Sequence, residues 1–259
     1  MFDIPYLHIK NFAPDLVESL NEDISKEYDR RISRPNTSNM YRKLSVYDEN
    51  GVHTARTGKS HLNFENITKA AELEDRIRLE AIKYMKQLST MGAVQEKLLS
   101  EYWHHYGWWS CFHNSDSYEY HAHSQFQLVT TYYVHNEDEH CPISFKNPMG
   151  VLLEAWCPGA PTKEFSEAIE TVVEPQTGDL LIWLPFLEHY VMNKQSYEAW
   201  KGTTVNPEKT DRLSQQSAVT ESNHPDFINS IDCRKSITIG YQKISQQNLG
   251  YLNQEKTNG

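Results

Sequence analysis

The chain has 259 residues, 38% of them hydrophobic, and a formal net charge of −10. That length suits one domain with elaborations and a sizeable core, and the acid excess argues against a polyanion-binding surface, since nucleic-acid binding draws on clustered Lys and Arg. Its four cysteines, Cys111, Cys141, Cys157 and Cys233, show no Cys-x-x-Cys spacing, which excludes a zinc ribbon or a disulfide frame and leaves free thiols as the expectation.

The opening residues, Met-Phe-Asp-Ile-Pro-Tyr, lack the basic-then-apolar layout of a signal peptide. No run approaches the length of a membrane span, so a cytoplasmic protein is expected. Phe2–Ile9 reads as an edge strand. Ala13-Pro14-Asp15 opens a helix, because Pro is favoured at the first helical position and acids favour the first turn. Leu16, Val17, Leu20 and Ile24 continue it at helical spacing until the polar segment 29–39. Thr68–Leu88 is the clearest helix, with an apolar stripe through Ala71, Leu73, Ile77, Leu79, Ile82, Met85 and Leu88 that predicts packing on the outside of a sheet.

Gln95–Phe112 reads as two strands broken at Gly107. From Trp108 onward short strands recur: Tyr120–His123, Leu128–Val134, Ile143–Phe145, Val151–Ala155, Glu170–Val173, Asp179–Leu184, His189–Met192 and Ser236–Tyr241. Such a series predicts a double-sheet jelly roll behind N-terminal helices. The expected division is a supporting region over 1–107 and a β core over 108–259. A polar insertion at about 194–233 interrupts that core. It is read either as a lid or as a surface elaboration.

Three segments carry the chemistry. The first is Tyr118–Val134, in which His121 and His123 stand two residues apart. On an extended strand those positions share a face, so two imidazoles can grip one metal ion. The second runs from Pro175 to Asn193, with a turn at Gly178-Asp179, an apolar strand, and His189. The third is Arg234-Lys-Ser-Ile-Thr-Ile-Gly240, a strand that opens on a basic residue. The order of the histidines followed by the arginine points to an iron site with a 2-oxoglutarate anchor.

These segments resemble an iron(II)/2-oxoglutarate oxygenase family common in marine phages and bacteria. That family carries His-x-His leading into Ser-Gly-x-Tyr-Tyr-Leu, then Gly-Asp-Leu-Leu-x-Phe-Pro with a later His-x-Val, then Arg-x-Ser-x-Ser-Phe-Asn. Here the matching residues are His121-Ala-His123, Thr130-Thr-Tyr-Tyr-Val134, Gly178–Pro185, His189-Tyr-Val191 and Arg234-Lys-Ser236. The resemblance spans about half the chain, and the combination is far more specific than any one motif. It implies a double-stranded β-helix barrel, iron(II) and O2 as reactants with 2-oxoglutarate, and hydroxylation of an unactivated carbon. The substrate it leaves open is a peptidyl side chain, a free amino acid or a small metabolite.

Such sites ordinarily bind iron through two histidines and one carboxylate, with three positions left open. Here the second position of the pair is His123. Three ligand sets therefore compete. The resemblance implies His121, His123 and His189 together, and this set is preferred. Glu119, at i−2 from His121, is an alternative carboxylate; in the third set one histidine lies outside the coordination sphere. A guanidinium meets the far carboxylate of 2-oxoglutarate in bidentate fashion, which fits Arg234, and Ser236 shares its strand face. Tyr132 or Tyr133 is expected inward, since alternation sends the other out; Tyr132 is included among the cosubstrate contacts, with Asn193. The aromatics Trp108 and Trp183 are read as barrel core. Rival readings are a cupin-like metal-binding or sensing protein and a three-histidine dioxygenase that does not use 2-oxoglutarate.

Overall fold

The computed structural model describes residues 6–32, 66–88, 103–112, 118–136, 142–150, 169–192, 197, 200 and 234–243. In chain order the elements are β1 (Tyr6–Ile9), a 3-10 turn (Pro14–Leu16), α1 (Val17–Ile32), α2 (Ala70–Leu88), β2 (Trp103–Phe112), β3 (Tyr118–His121), β4 (Leu128–His135), β5 (Ile143–Lys146), β6 (Glu170–Val173), β7 (Leu180–Trp183), β8 (His189–Val191) and β9 (Arg234–Lys243). The strands form a five-stranded sheet in the order β1-β7-β4-β9-β2 and a four-stranded sheet in the order β3-β8-β5-β6. Every pairing is antiparallel.

Period-2 alternation sorts the larger sheet into two faces. Leu128, Tyr132 and Val134 of β4, Leu180 and Ile182 of β7, and Ile237, Ile239 and Tyr241 of β9 pack against the helices. The helices answer with Leu16, Leu20 and Ile24 ahead of and along α1, and Leu73, Ile77 and Ala81 along α2, all buried. Leu73 and Ile77 belong to the predicted stripe of α2, but Ala71, Leu79 and Leu88 of that stripe are exposed, because they fall outside the arc that the 3.6-residue period turns to the sheet, while Ala81 falls within it. Burying each large aliphatic side chain contributes roughly 1.5–3 kcal/mol. Asp23 of α1 accepts both the backbone N–H and the hydroxyl of Thr68, at 2.8 and 2.7 Å, which ties α1 to the start of α2.

The opposite face of the larger sheet meets the smaller one. Val129 and Tyr133 of β4 and Leu181 and Trp183 of β7 pack there with Ile143 and Phe145 of β5 and Val173 of β6. Two facing antiparallel sheets, with the chain passing between them from β2 to β9, make a double-stranded β-helix (jelly roll) behind N-terminal helices, as expected. The first strand is an edge strand, hydrogen-bonded to β7. The N-terminal region thus supplies a strand to the barrel as well as helices.

Two expectations are revised. No break occurs at Gly107: β2 runs unbroken through it, and Gly107 pairs with Ile239. Glycine weakens a strand entropically but keeps both backbone hydrogen-bonding groups, so the long neighbour β9 holds it in the ladder. The helix opening at Pro14 starts as a 3-10 turn before α1 takes over. The strand expected over Val151–Ala155 and nearly all of the 194–233 insertion lie outside the described residues. Among those residues no helix is long and apolar enough to cross a membrane.

Candidate active site

Between the sheets lies a cavity of about 220 Å³, and the smaller sheet brings histidines to it. Strands β3 and β8 are neighbours, in a register that sets His121 directly opposite His189. Their ring centroids are 4.3 Å apart. His123 lies two residues past the end of β3, with its ring 4.9 Å from His121 and 5.0 Å from His189. The three ligand atoms all fall within 4.8 Å of one another. His123 reaches this cluster from a turn and not from the pleat of the strand. Its N–H donates to the Pro185 carbonyl at 3.0 Å, and its own carbonyl accepts from Phe126 N–H at 2.9 Å.

Burial and hydrogen bonding set the protonation and orientation of the His189 ring. It is 4% exposed, and burial, with the nearby His121 and His123, holds its imidazole well below the usual histidine range. Its Nδ1 lies 3.0 Å from the Leu187 carbonyl. A carbonyl only accepts, so Nδ1 carries the proton and Nε2 keeps a free lone pair. Trp183 and Phe145 hold the ring from behind, at 5.1 and 5.9 Å. Trp108, 5.5 Å from His123, flanks that ring.

The larger sheet lines the same cavity with polar groups. Arg234 is 3% exposed, and its guanidinium lies 5.3 Å from the centre of the Tyr133 ring. Ser236 pairs in register with Tyr133 on one side and with Ser110 on the other. Thr131 and Thr238 share a hydrogen bond at 2.9 Å beside them. Burial pushes the Tyr133 hydroxyl up to about 12, so it is a neutral donor at pH 7. That buried hydroxyl has no hydrogen-bond partner among the described residues.

Tyr132 is not in this cavity. It faces the helices, and its hydroxyl donates to the Ala13 carbonyl at 2.7 Å. Packing of Tyr132 against the helices thus resolves the tyrosine pair in favour of Tyr133. Asn193 and the Glu119 side chain lie outside the described residues. Trp108 and Trp183, read from sequence as core, are buried and also line the cavity. Ser110, Gln125, Phe126, Thr131 and Thr238 were not singled out by sequence reasoning. The available signal was alternation: Ser110 shares the face of Trp108, and Thr238 that of Ser236.

These residues fit a metal and an anion together. Three neutral imidazoles suit Fe, Zn, Cu or Ni. A buried guanidinium beside serine and tyrosine hydroxyls suits a carboxylate, and the unsatisfied Tyr133 hydroxyl has a donor to give.

No protein-family model matches the chain, and no curated protein matches it. Among solved structures it is similar to AviO1 from Streptomyces viridochromogenes Tue57, with TM-score 0.50 and 10% identity over 93% of this chain and 91% of that one. It is also similar to EvdO2 from Micromonospora carbonacea var. aurantiaca complexed with 2-oxoglutarate, with TM-score 0.49 and 7% identity over 94% and 89% of the two chains. A prolyl hydroxylase from Trichoplax adhaerens, in complex with a hypoxia-inducible-factor peptide fragment, gives TM-score 0.48 and 9% identity over 92% and 84%. At such identities the likeness to AviO1 shows a shared fold.

Proposed function

We propose that this protein is an iron(II)- and 2-oxoglutarate-dependent dioxygenase that hydroxylates an unactivated C–H bond in a peptidyl or small-molecule substrate. The observation that carries the reading is one cavity lined both by three clustered imidazoles and by a buried guanidinium with hydroxyl neighbours. A metal-binding module has no need of the second feature. The balanced reaction consumes substrate, 2-oxoglutarate and O2, and yields hydroxylated substrate, succinate and CO2.

In this reading His121, His123 and His189 hold iron(II), leaving positions for the oxoacid and O2. Iron(II) with bound oxoacid supplies the O2 activation that oxidises the C–H bond. Arg234 pairs with the distal carboxylate of 2-oxoglutarate, and Ser236 and Tyr133 donate hydroxyl hydrogen bonds to the same cosubstrate. Burial strengthens these contacts, because a charge-assisted bond in a low-dielectric cavity is poorly screened. Trp108, Phe126, Ile143 and Val191 give the cavity apolar walls that keep water from the reacting groups. Asn193, directly after Met192, stays in the reading as a contact to cosubstrate or substrate. A cytoplasmic protein with no nucleic-acid partner is the companion proposal, and the acid excess supports its second part.

The test is anaerobic titration with iron(II) and 2-oxoglutarate, watching for the weak visible charge-transfer band of the chelated oxoacid. Wild type runs beside His123→Ala, Glu119→Ala and Arg234→Ala. The expected pattern is a band that survives Glu119→Ala, disappears with His123→Ala, and needs much more 2-oxoglutarate with Arg234→Ala. No band at saturating iron would favour an oxoacid-independent dioxygenase or a cupin-like metal binder.

A further inference from the structure

We infer that Gly240 and Phe126 form a lock that positions His123 for metal, so that a glycine on the last strand controls metal affinity without touching the metal. The inference rests on the three-histidine reading of the site. Its starting point is an asymmetry among those histidines. His121 and His189 sit in paired strands, where ladder hydrogen bonds fix the backbone. His123 lies beyond the end of β3, so its position depends on what holds the turn 123–127.

Backbone bonds to described residues hold that turn. His123 N–H donates to the Pro185 carbonyl at 3.0 Å, Phe126 N–H to the His123 carbonyl at 2.9 Å, and Gln127 N–H to the Tyr241 carbonyl at 2.7 Å. The last bond ties the turn to β9 one residue after Gly240. A packing contact completes the arrangement. The Phe126 ring occupies the space that a side chain at position 240 would fill: a Cβ there would come within 2.4 Å of Phe126 Cδ2 and Cε2. Real Cβ atoms do not approach so closely, so any residue but glycine drives the ring out. The displaced ring is 4% exposed and has little free space to enter.

The ring also touches the ligand. Phe126 lies 6.1 Å from the His123 ring and stacks on Trp108 at 6.2 Å, while Trp108 lies 5.5 Å from His123. These separations are those of packed aromatic pairs. Pushing Phe126 away from β9 therefore moves the support of one imidazole and leaves the other two in their strands. Gly240 and Phe126 are positioning residues; neither is a metal ligand.

The test measures Co(II) affinity by chelator competition, together with the visible d–d spectrum, for wild type, Gly240→Ala, Phe126→Ala, Phe126→Leu and the double variant Gly240→Ala/Phe126→Ala. Gly240→Ala is expected to raise the Kd by about 10- to 100-fold, the usual effect of disturbing an outer-shell support, and to change the d–d bands. Phe126→Ala is expected to do the same. In the double variant the added methyl meets no ring, so it should match Phe126→Ala alone. Phe126→Leu keeps apolar filling and should fall between wild type and Phe126→Ala, which covers the case of a single variant that does not fold. Gly240→Ala that lowers Tm but binds Co(II) like wild type, with an unchanged spectrum, overturns the lock alone. So does a double variant in which the two losses multiply. Wild type that fails to bind Co(II) overturns the three-histidine reading itself.

Discussion

His121 and His189 face each other across adjacent antiparallel strands, one residue opposite the other, with ring centroids 4.3 Å apart. The backbone register of the smaller sheet thus sets two of the three imidazoles side by side. His121→Ala and His189→Ala should each abolish tight metal binding, by more than the 10- to 100-fold of an outer-shell change. Both should keep the far-UV circular dichroism of the wild type. Isothermal titration with Zn(II) or Co(II) checks this; undiminished affinity in either variant would remove that residue from the site.

The two adjacent tyrosines should behave oppositely. Tyr133→Phe removes a buried donor from the cavity that holds Arg234. A hydrogen bond to a charged group contributes about 1.5–3 kcal/mol, so the Kd for 2-oxoglutarate should rise by at least about tenfold. Tyr132→Phe instead removes the bond to the Ala13 carbonyl on the helix side. It should lower Tm by a few degrees and leave 2-oxoglutarate binding alone. Equal effects on binding from both variants would contradict the strand's facing.

Glu74 should make folding stability depend on pH. It lies on the buried side of α2, 7% exposed, with Arg78 Nε 3.8 Å away, and burial raises its carboxyl from 4.5 to about 7. Between those values the folded state binds more protons than the unfolded one, so stability falls as pH rises through the window and stays lower above it. The full shift corresponds to a loss of roughly 3 kcal/mol at about 1.4 kcal/mol per unit. Glu74→Gln should remove this downward contribution to the slope and be the more stable protein at pH 8. Denaturant unfolding at pH 5 and pH 8 tests it, and parallel slopes in both proteins would refute it.

Asp179 should matter to the fold and not to the metal. Its carboxylate accepts the backbone N–H of Asn11 and of Gln176, both at 2.9 Å, and lies 2.7 Å from His8 Nε2. It thereby fastens the N-terminal strand to the turn before β7, where Gly178 has φ +89. Asp179→Ala strips a nearly buried carboxylate from several donors and should cost about 2–4 kcal/mol. Co(II) affinity should stay within a factor of two or so of wild type, because the tie lies on the β1–β7 side of the larger sheet, whereas His121 and His189 are held by strands of the smaller one. A loss of metal affinity larger than the loss of stability would assign Asp179 to the site.

Much of this architecture is legible in the sequence because it rests on local periodicity. The apolar stripe through Leu73 and Ile77 and the β-branched run at Leu128–Val134 state their element types within a few residues. The spacing of His121, His123, His189 and Arg234 along those elements marks the candidate site in the sequence itself. Gly107 misled, because a glycine reads as a strand break in isolation but is held in β2 by ten residues of β9 pairing.

What the sequence leaves open depends on contacts between residues far apart in the chain. Alternation says that one of Tyr132 and Tyr133 points inward; only the packing of β4 under the helices selects Tyr133. The His-x-His spacing predicts a shared strand face, yet β3 ends at His121, and His123 takes its place from Pro185 and Phe126. The match of Phe126 to Gly240 joins positions more than a hundred residues apart and has no periodic signature. Hydrophobic pattern determines which face of each element is buried. Sheet register and side-chain packing decide which buried residues meet.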